Sequence, residues 1–139
     1  MTTARDVMNR GAQTIGAEDT LLDAARHMKN LQIGSLPVRA ADGALVGMVT
    51  DRDIVIRCVA DGADAAATTA GSVSSGGIVT VEADMDIDQV LSLMREHQVK
   101  RMPVVDGGEL IGMISESDLV AELSSERIAH FASGVYKKD

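Results

Sequence analysis

Apolar residues stand at Leu21, Ala24, Ala25 and Met28, and again at Ile87, Val90, Leu91 and Met94. Steps of three and four put each set on one face of a helix. Thr20 with Asp23, and Asp86 with Gln89, precede these faces in the manner of helix N-caps. The short, partly β-branched stretches 13–16 and 78–81 predict a brief strand before each helix. After each helix come two apolar runs parted by turn residues. Leu36-Pro37-Val38 and Leu45 to Val49 flank Asp42-Gly43, while Met102 to Val105 and Leu110 to Ile114 flank Asp106-Gly107-Gly108. Such interrupted runs predict β-hairpins. Pro37 and Pro103 have no N–H to donate and are expected at a strand start or on a sheet edge. A last helix follows Thr50 or Ser115, with Ile54, Val55, Cys58 and Val59 forming one apolar face and Leu119, Val120 and Leu123 the other.

The pattern is a duplication. At a register of 66 residues Ile15 meets Val81, Met28 meets Met94, and Leu36-Pro37-Val38 meets Met102-Pro103-Val104. One residue is lost in the hairpin, and at a register of 65 the 13 positions from Gly43 to Val55 meet Gly108 to Val120, with 11 pairs alike in chemistry. Thr69-Ala70 and Val73 likewise echo Thr3-Ala4 and Val7. Each half is therefore one supersecondary unit, β-α-β-β-α. The fold class expected is α+β (α/β), with the repeats at 1–60 and 69–123, a connector at 61–68 and a tail, partly helical, at 124–139. One copy alone buries little core. The two are expected to pack about a pseudo-twofold axis as one folding unit.

Composition narrows the functions. The chain has 139 residues, is 45% hydrophobic and carries a net charge of −8. Without clustered cations or stacking aromatics, nucleic acid is not an expected partner. Phe131 and Tyr136 are the only aromatics, so Val, Ile, Leu, Ala and Met must build the core. Cys58 is the single cysteine, which forbids an intrachain disulfide and fits a reducing compartment. Residues 1–8 lack the basic and apolar regions of a signal peptide, and no apolar run reaches membrane-spanning length. The expectation is a cytoplasmic protein with no membrane partner.

Leu36-Pro37-Val38, with Leu45-Val46-Gly47-Met48-Val49-Thr50-Asp51-Arg52-Asp53-Ile54, strongly resembles a CBS domain. So does Met102-Pro103-Val104-Val105-Asp106, with Leu110-Ile111-Gly112-Met113-Ile114-Ser115-Glu116-Ser117-Asp118-Leu119. Two such motifs in tandem, over nearly the whole chain, are similar to a stand-alone bacterial CBS pair, or Bateman module. The resemblance implies a regulatory sensor that binds an adenosine-containing ligand: AMP, ADP, ATP, S-adenosylmethionine or NAD. It implies no required cofactor, and ligand clefts between the repeats. In that family a Ser or Thr, followed three residues later by Asp, opens the last helix and holds ribose. The matching residues are Thr50 with Asp53 and Ser115 with Asp118.

A carboxylate that accepts from vicinal hydroxyls is also how dinucleotide folds hold ribose, and a helix N-terminus favours phosphate. The same spacing is equally an ordinary helix-capping arrangement. Both uses can coexist at one hydroxyl. By the resemblance, adenine lies beside Thr14, Ile15, Leu36 and Pro37 in the first site, and beside Thr80, Val81, Met102 and Pro103 in the second. Gly34-Ser35 becomes Lys100-Arg101 in the second copy, and Arg52 becomes Ser117. Arg52, Lys100 and Arg101 are the candidate phosphate contacts.

Rival classes have less support. His27, His97 and His130 fall at unmatched repeat positions, without a nucleophile elbow or Ser/His/Asp order. Cys58 lies on an apolar face, so no catalytic residue is assigned. No Cys-x-x-Cys or His-x-x-x-His pair offers zinc spacing, so no metal ligand is assigned either. The alternative is a ligand-independent dimerisation or protein-interaction module. The resemblance itself implies a homodimer, with an unidentified protein partner as a further option.

Overall fold

The computed structural model describes residues 2–74 and 78–122; Leu123 and the tail expected at 124–139 lie outside the described residues. The elements run α1 (Ala4–Val7), β1 (Asn9–Arg10), β2 (Ile15–Gly16), α2 (Leu21–Leu31), β3 (Ser35–Arg39), β4 (Leu45–Thr50) and α3 (Asp51–Ile54), which continues as a π-helical turn over Val55–Val59. They resume with α4 (Ala70–Val73), β5 (Val81–Glu82), α5 (Ile87–His97), β6 (Arg101–Asp106), β7 (Glu109–Ser115) and α6 (Glu116–Val120). The class is mixed α+β, and the β-α-β-β-α order occurs in both halves.

Local chemistry accounts for most element ends. Thr20 Oγ1 accepts from the Asp23 N–H at 3.1 Å, and an Asp86 carboxylate oxygen accepts from the Asp88 N–H at 2.9 Å, so both long helices are capped. Both end on a glutamine in the left-handed region, Gln32 at φ 56° and Gln98 at φ 52°. The second hairpin turns through Gly107 and Gly108 at φ 58° and 85°. Paired positive φ values suit the right-handed twist of the strands they join.

The chain divides into two compact units, one of residues 13–78 and the other of residues 1–12 with 79–139. In the first, the sheet order is β2-β3-β4, with β2 parallel and β4 antiparallel to β3. In the second it is β1-β7-β6-β5, where β1 adds antiparallel to β7. Residues 1–12 thus fold with the second copy, while α4, the opening of the second copy, folds with the first. The exchange is matched bond for bond: Ala4 and Arg5 N–H donate to Met85 and Ala83 O, as Ala70 and Gly71 N–H donate to Asp19 and Ala17 O, all at 2.7–2.9 Å. An Arg5–Asp106 ion pair at 2.8 Å also ties α1 to its unit.

Each unit has its own apolar core. Leu21, Ala24, Met28, Leu36, Val38, Val49 and Cys58 are buried in one, and Val90, Met94, Met102, Val104, Ile114 and Leu119 in the other.

Two expectations need correction. Pro37 and Pro103 lie inside the middle strands β3 and β6, opposite Met48 and Met113. The flanking parallel strands pair only with residues 38–39 and 104–105, so no ladder partner on that side calls for the missing N–H. Secondly, the last helix of the first copy does not bury the whole face expected. Cys58 is buried and Ile54 half-buried, but Val55 and Val59 are 54% and 64% exposed. Ile56 is exposed as well, and in the second copy Val120, the equivalent of Val55, is 46% exposed although α6 has no π turn.

Candidate functional site

β4 and β7 each deliver a hydroxyl residue to the start of a short helix. Thr50 Oγ1 accepts from the Asp53 N–H at 3.0 Å, and the Asp53 carboxylate accepts from the Thr50 N–H at 2.9 Å. Ser115 and Asp118 form the same reciprocal box at 3.3 and 2.8 Å, with a further bond from Ser115 Oγ to Asp118 at 2.8 Å. The capping arrangement expected from the spacing is therefore present in both copies. Thr50→Ala is expected to cost about 1 kcal/mol, read from urea unfolding midpoints. An unchanged midpoint would show that this box adds nothing to stability.

All four side chains are half-buried, so their polar atoms are supported by the fold yet lie near solvent. Beside Ser115 lies an open hollow of about 320 Å³, lined by Lys100, Arg101, Ser115, Glu116, Ser117 and Val120. Ser117 Oγ is 2.9 Å from Ser115 Oγ, so the lining combines two hydroxyls, two cationic residues and the acidic Glu116. In the first copy Gly34 replaces Lys100. A side-chain carbon at Gly34 would stand 3.0 Å from the Asp51 carboxylate, which therefore occupies the space there. Arg52 is exposed on α3, where its backbone N–H donates to Asp51.

The residues expected beside adenine fall into two groups. Thr14 and Thr80 are half-buried just before β2 and β5. Ile15, Leu36, Val81 and Met102 are core members at 3% exposure or less, and Pro37 and Pro103 are buried beside them. Met102 and Pro103 are not among the residues that line the hollow.

Asn9 was not indicated by any sequence motif. Its side-chain amide donates to both carboxylate oxygens of Asp118, at 2.8 and 2.9 Å. Ser117 appears in the sequence only as the replacement for Arg52. Its place on the helix opened by Ser115 is the signal that could have found it.

Among the described residues, no helix is long and apolar enough to cross a membrane. His27 and His97 are exposed, Cys58 is buried with its thiol 3.5 Å from Ala63 O, and His130 lies outside the described residues.

A family model for the CBS domain matches residues 4–59 and 70–125. Hypoxic response protein 1 of Mycobacterium tuberculosis is 42% identical over 135 residues, covering 97% of this chain and 94% of its own. A solved structure of Hypoxic Response Protein I with two coordinated zinc ions superposes at a TM-score of 0.80 and 43% identity, over 88% of this chain and 100% of that one. A hexameric CBS-CP12 protein from bloom-forming cyanobacteria superposes at 0.77 and 27% identity, over 88% of this chain and 71% of that one. The zinc belongs to the relative: among the described residues here, no three His, Cys, Asp or Glu side chains come together to hold a metal. The duplicated β-α-β-β-α order and both matched segments lead to one identification: this chain belongs to the CBS-domain family and carries two CBS domains.

Proposed function

We propose that the chain is a non-catalytic regulatory module that binds an adenosine-containing small molecule, of the AMP, ADP, ATP, S-adenosylmethionine or NAD class. The observation that carries this reading is the hydroxyl–carboxylate pair at the head of each last helix, Thr50 with Asp53 and Ser115 with Asp118. An ionised carboxylate accepts from the two adjacent hydroxyls of a ribose, and the neighbouring hydroxyl adds a donor or acceptor. Lys100 and Arg101, beside Ser115 in the second copy, suit a ligand that carries phosphate. The buried single cysteine suits a reducing compartment such as the cytoplasm.

Binding of AMP or a related compound is expected to raise thermal stability, by about 2.7 kcal/mol at a hundredfold excess over Kd. Asp53→Ala and Asp118→Ala should each remove the response of one site. A panel of AMP, ADP, ATP, S-adenosylmethionine and NAD that leaves the wild-type Tm unmoved would sink the proposal.

A second reading has its own observation. Val55, Ile56 and Val59 form an exposed apolar group, and one CBS relative is hexameric. A ligand-independent module would use this face for homodimerisation or to meet another protein. If ligand and assembly act together, each must alter the other's affinity by the same factor. Sedimentation with and without AMP measures that factor.

A further inference from the structure

The two carboxylates are not equally available. Asp118 accepts four hydrogen bonds: at Oδ2 from the Ser115 N–H and hydroxyl, both at 2.8 Å, and from the Asn9 amide at 2.9 Å; at Oδ1 from the same amide at 2.8 Å. A carboxylate oxygen has about two acceptor positions, so Oδ2 is crowded and Oδ1 keeps one position open. Asp53 accepts from the Thr50 N–H at 2.9 Å and has no other hydrogen-bond partner among the described residues. The repeat register aligns Ser75 with Asn9 in sequence, and Ser75 lies outside the described residues. A serine side chain is shorter than asparagine and carries one donor proton against two.

We propose that Asn9 is a latch on the second site: its amide sits against both oxygens of Asp118 and leaves too few open acceptor positions for two vicinal ribose hydroxyls. The inference rests on the ribose reading above and deepens it: the Thr50–Asp53 site fills first, and the Ser115–Asp118 site fills only when a ligand displaces the amide. The latch can open without unfolding. Asn9 is exposed, and its backbone stays paired with Met113 through β1 and β7 while the side chain turns away. The released amide regains water, so the penalty is the net worth of bonds to a charged acceptor, on the order of tenfold in affinity. A two-site module of this kind responds over a wider concentration range than one with equal sites.

Calorimetric titration of AMP tests the latch. Asp53→Ala leaves only the second site and Asp118→Ala only the first, and each is combined with Asn9→Ala. Asn9→Ala is expected to tighten AMP about tenfold in the Asp53→Ala protein and to leave Kd within about twofold in the Asp118→Ala protein. Asn9→Ser, which keeps one donor and a polar surface, should give a smaller gain. A gain in affinity is not what a damaged fold produces. Equal or weaker AMP binding in both Asn9 variants overturns the latch while the ribose reading stands. If none of AMP, ADP, ATP, S-adenosylmethionine and NAD binds the wild-type protein, the ribose reading falls, and the latch with it.

Discussion

Leu36→Ala is expected to lower stability by about 2–5 kcal/mol, a large part of what holds a domain of this size. Leu36 is fully buried in β3, packed with Leu21, Val38, Val49 and Cys58. Truncation removes its transfer free energy and leaves a cavity that a strand fixed on both sides by β2 and β4 cannot close. Tm should fall by roughly 10 °C, without any ligand present. Val59→Ala, at a site 64% exposed, should change stability by less than about 0.5 kcal/mol. The contrast matters because the resemblance places Leu36 beside adenine. A loss of ligand response in Leu36→Ala is informative only below its new Tm. A cost under about 1 kcal/mol would contradict the packing described.

Gly112→Ala should be nearly as damaging, for a steric reason. A methyl at this position would stand 2.5 Å from the Asn9 carbonyl oxygen and 2.7 Å from the Met8 sulfur. The carbonyl belongs to β1, paired beside β7, so relief requires β1 to move off the sheet. Overpacking of this kind costs about 1–3 kcal/mol, and release of β1 would add loss of the Asn9–Asp118 contact. Hydrogen exchange should show lost protection in residues 2–12 before the rest of the unit opens. Gly71→Ala, whose methyl meets Ala17 at 3.0 Å, should cost less. If Gly112→Ala leaves exchange in β1 unchanged, the close approach of β1 to β7 is wrong.

The features legible in the sequence are those made by residues close along the chain. Thr20 and Asp86 cap α2 and α5 through bonds to residues two or three positions on, and the boxes at Thr50 and Ser115 span three residues. The glycines at 107 and 108 turn the second hairpin by their own backbone freedom. Periodicity gave less at the last helix of the first copy. Val55 is exposed and so is its repeat partner Val120 on the α-helical α6, so the apolar pattern overstates how much of this short helix the core covers. The proline expectation failed for a related reason. Whether a missing N–H is harmless depends on how far the neighbouring strand reaches, and that is a property of the sheet.

By itself the sequence determined the duplicated β-α-β-β-α unit, its caps and turns, and the hydroxyl and carboxylate at the head of each last helix. These follow from local bonding and from an apolar period that one chain displays. Only the tertiary structure decided that residues 1–12 fold with the second copy, and that α4 folds with the first. It alone brought Asn9 onto Asp118 across 109 positions of chain. Such contacts arise where separate segments pack, and no spacing within either segment encodes them.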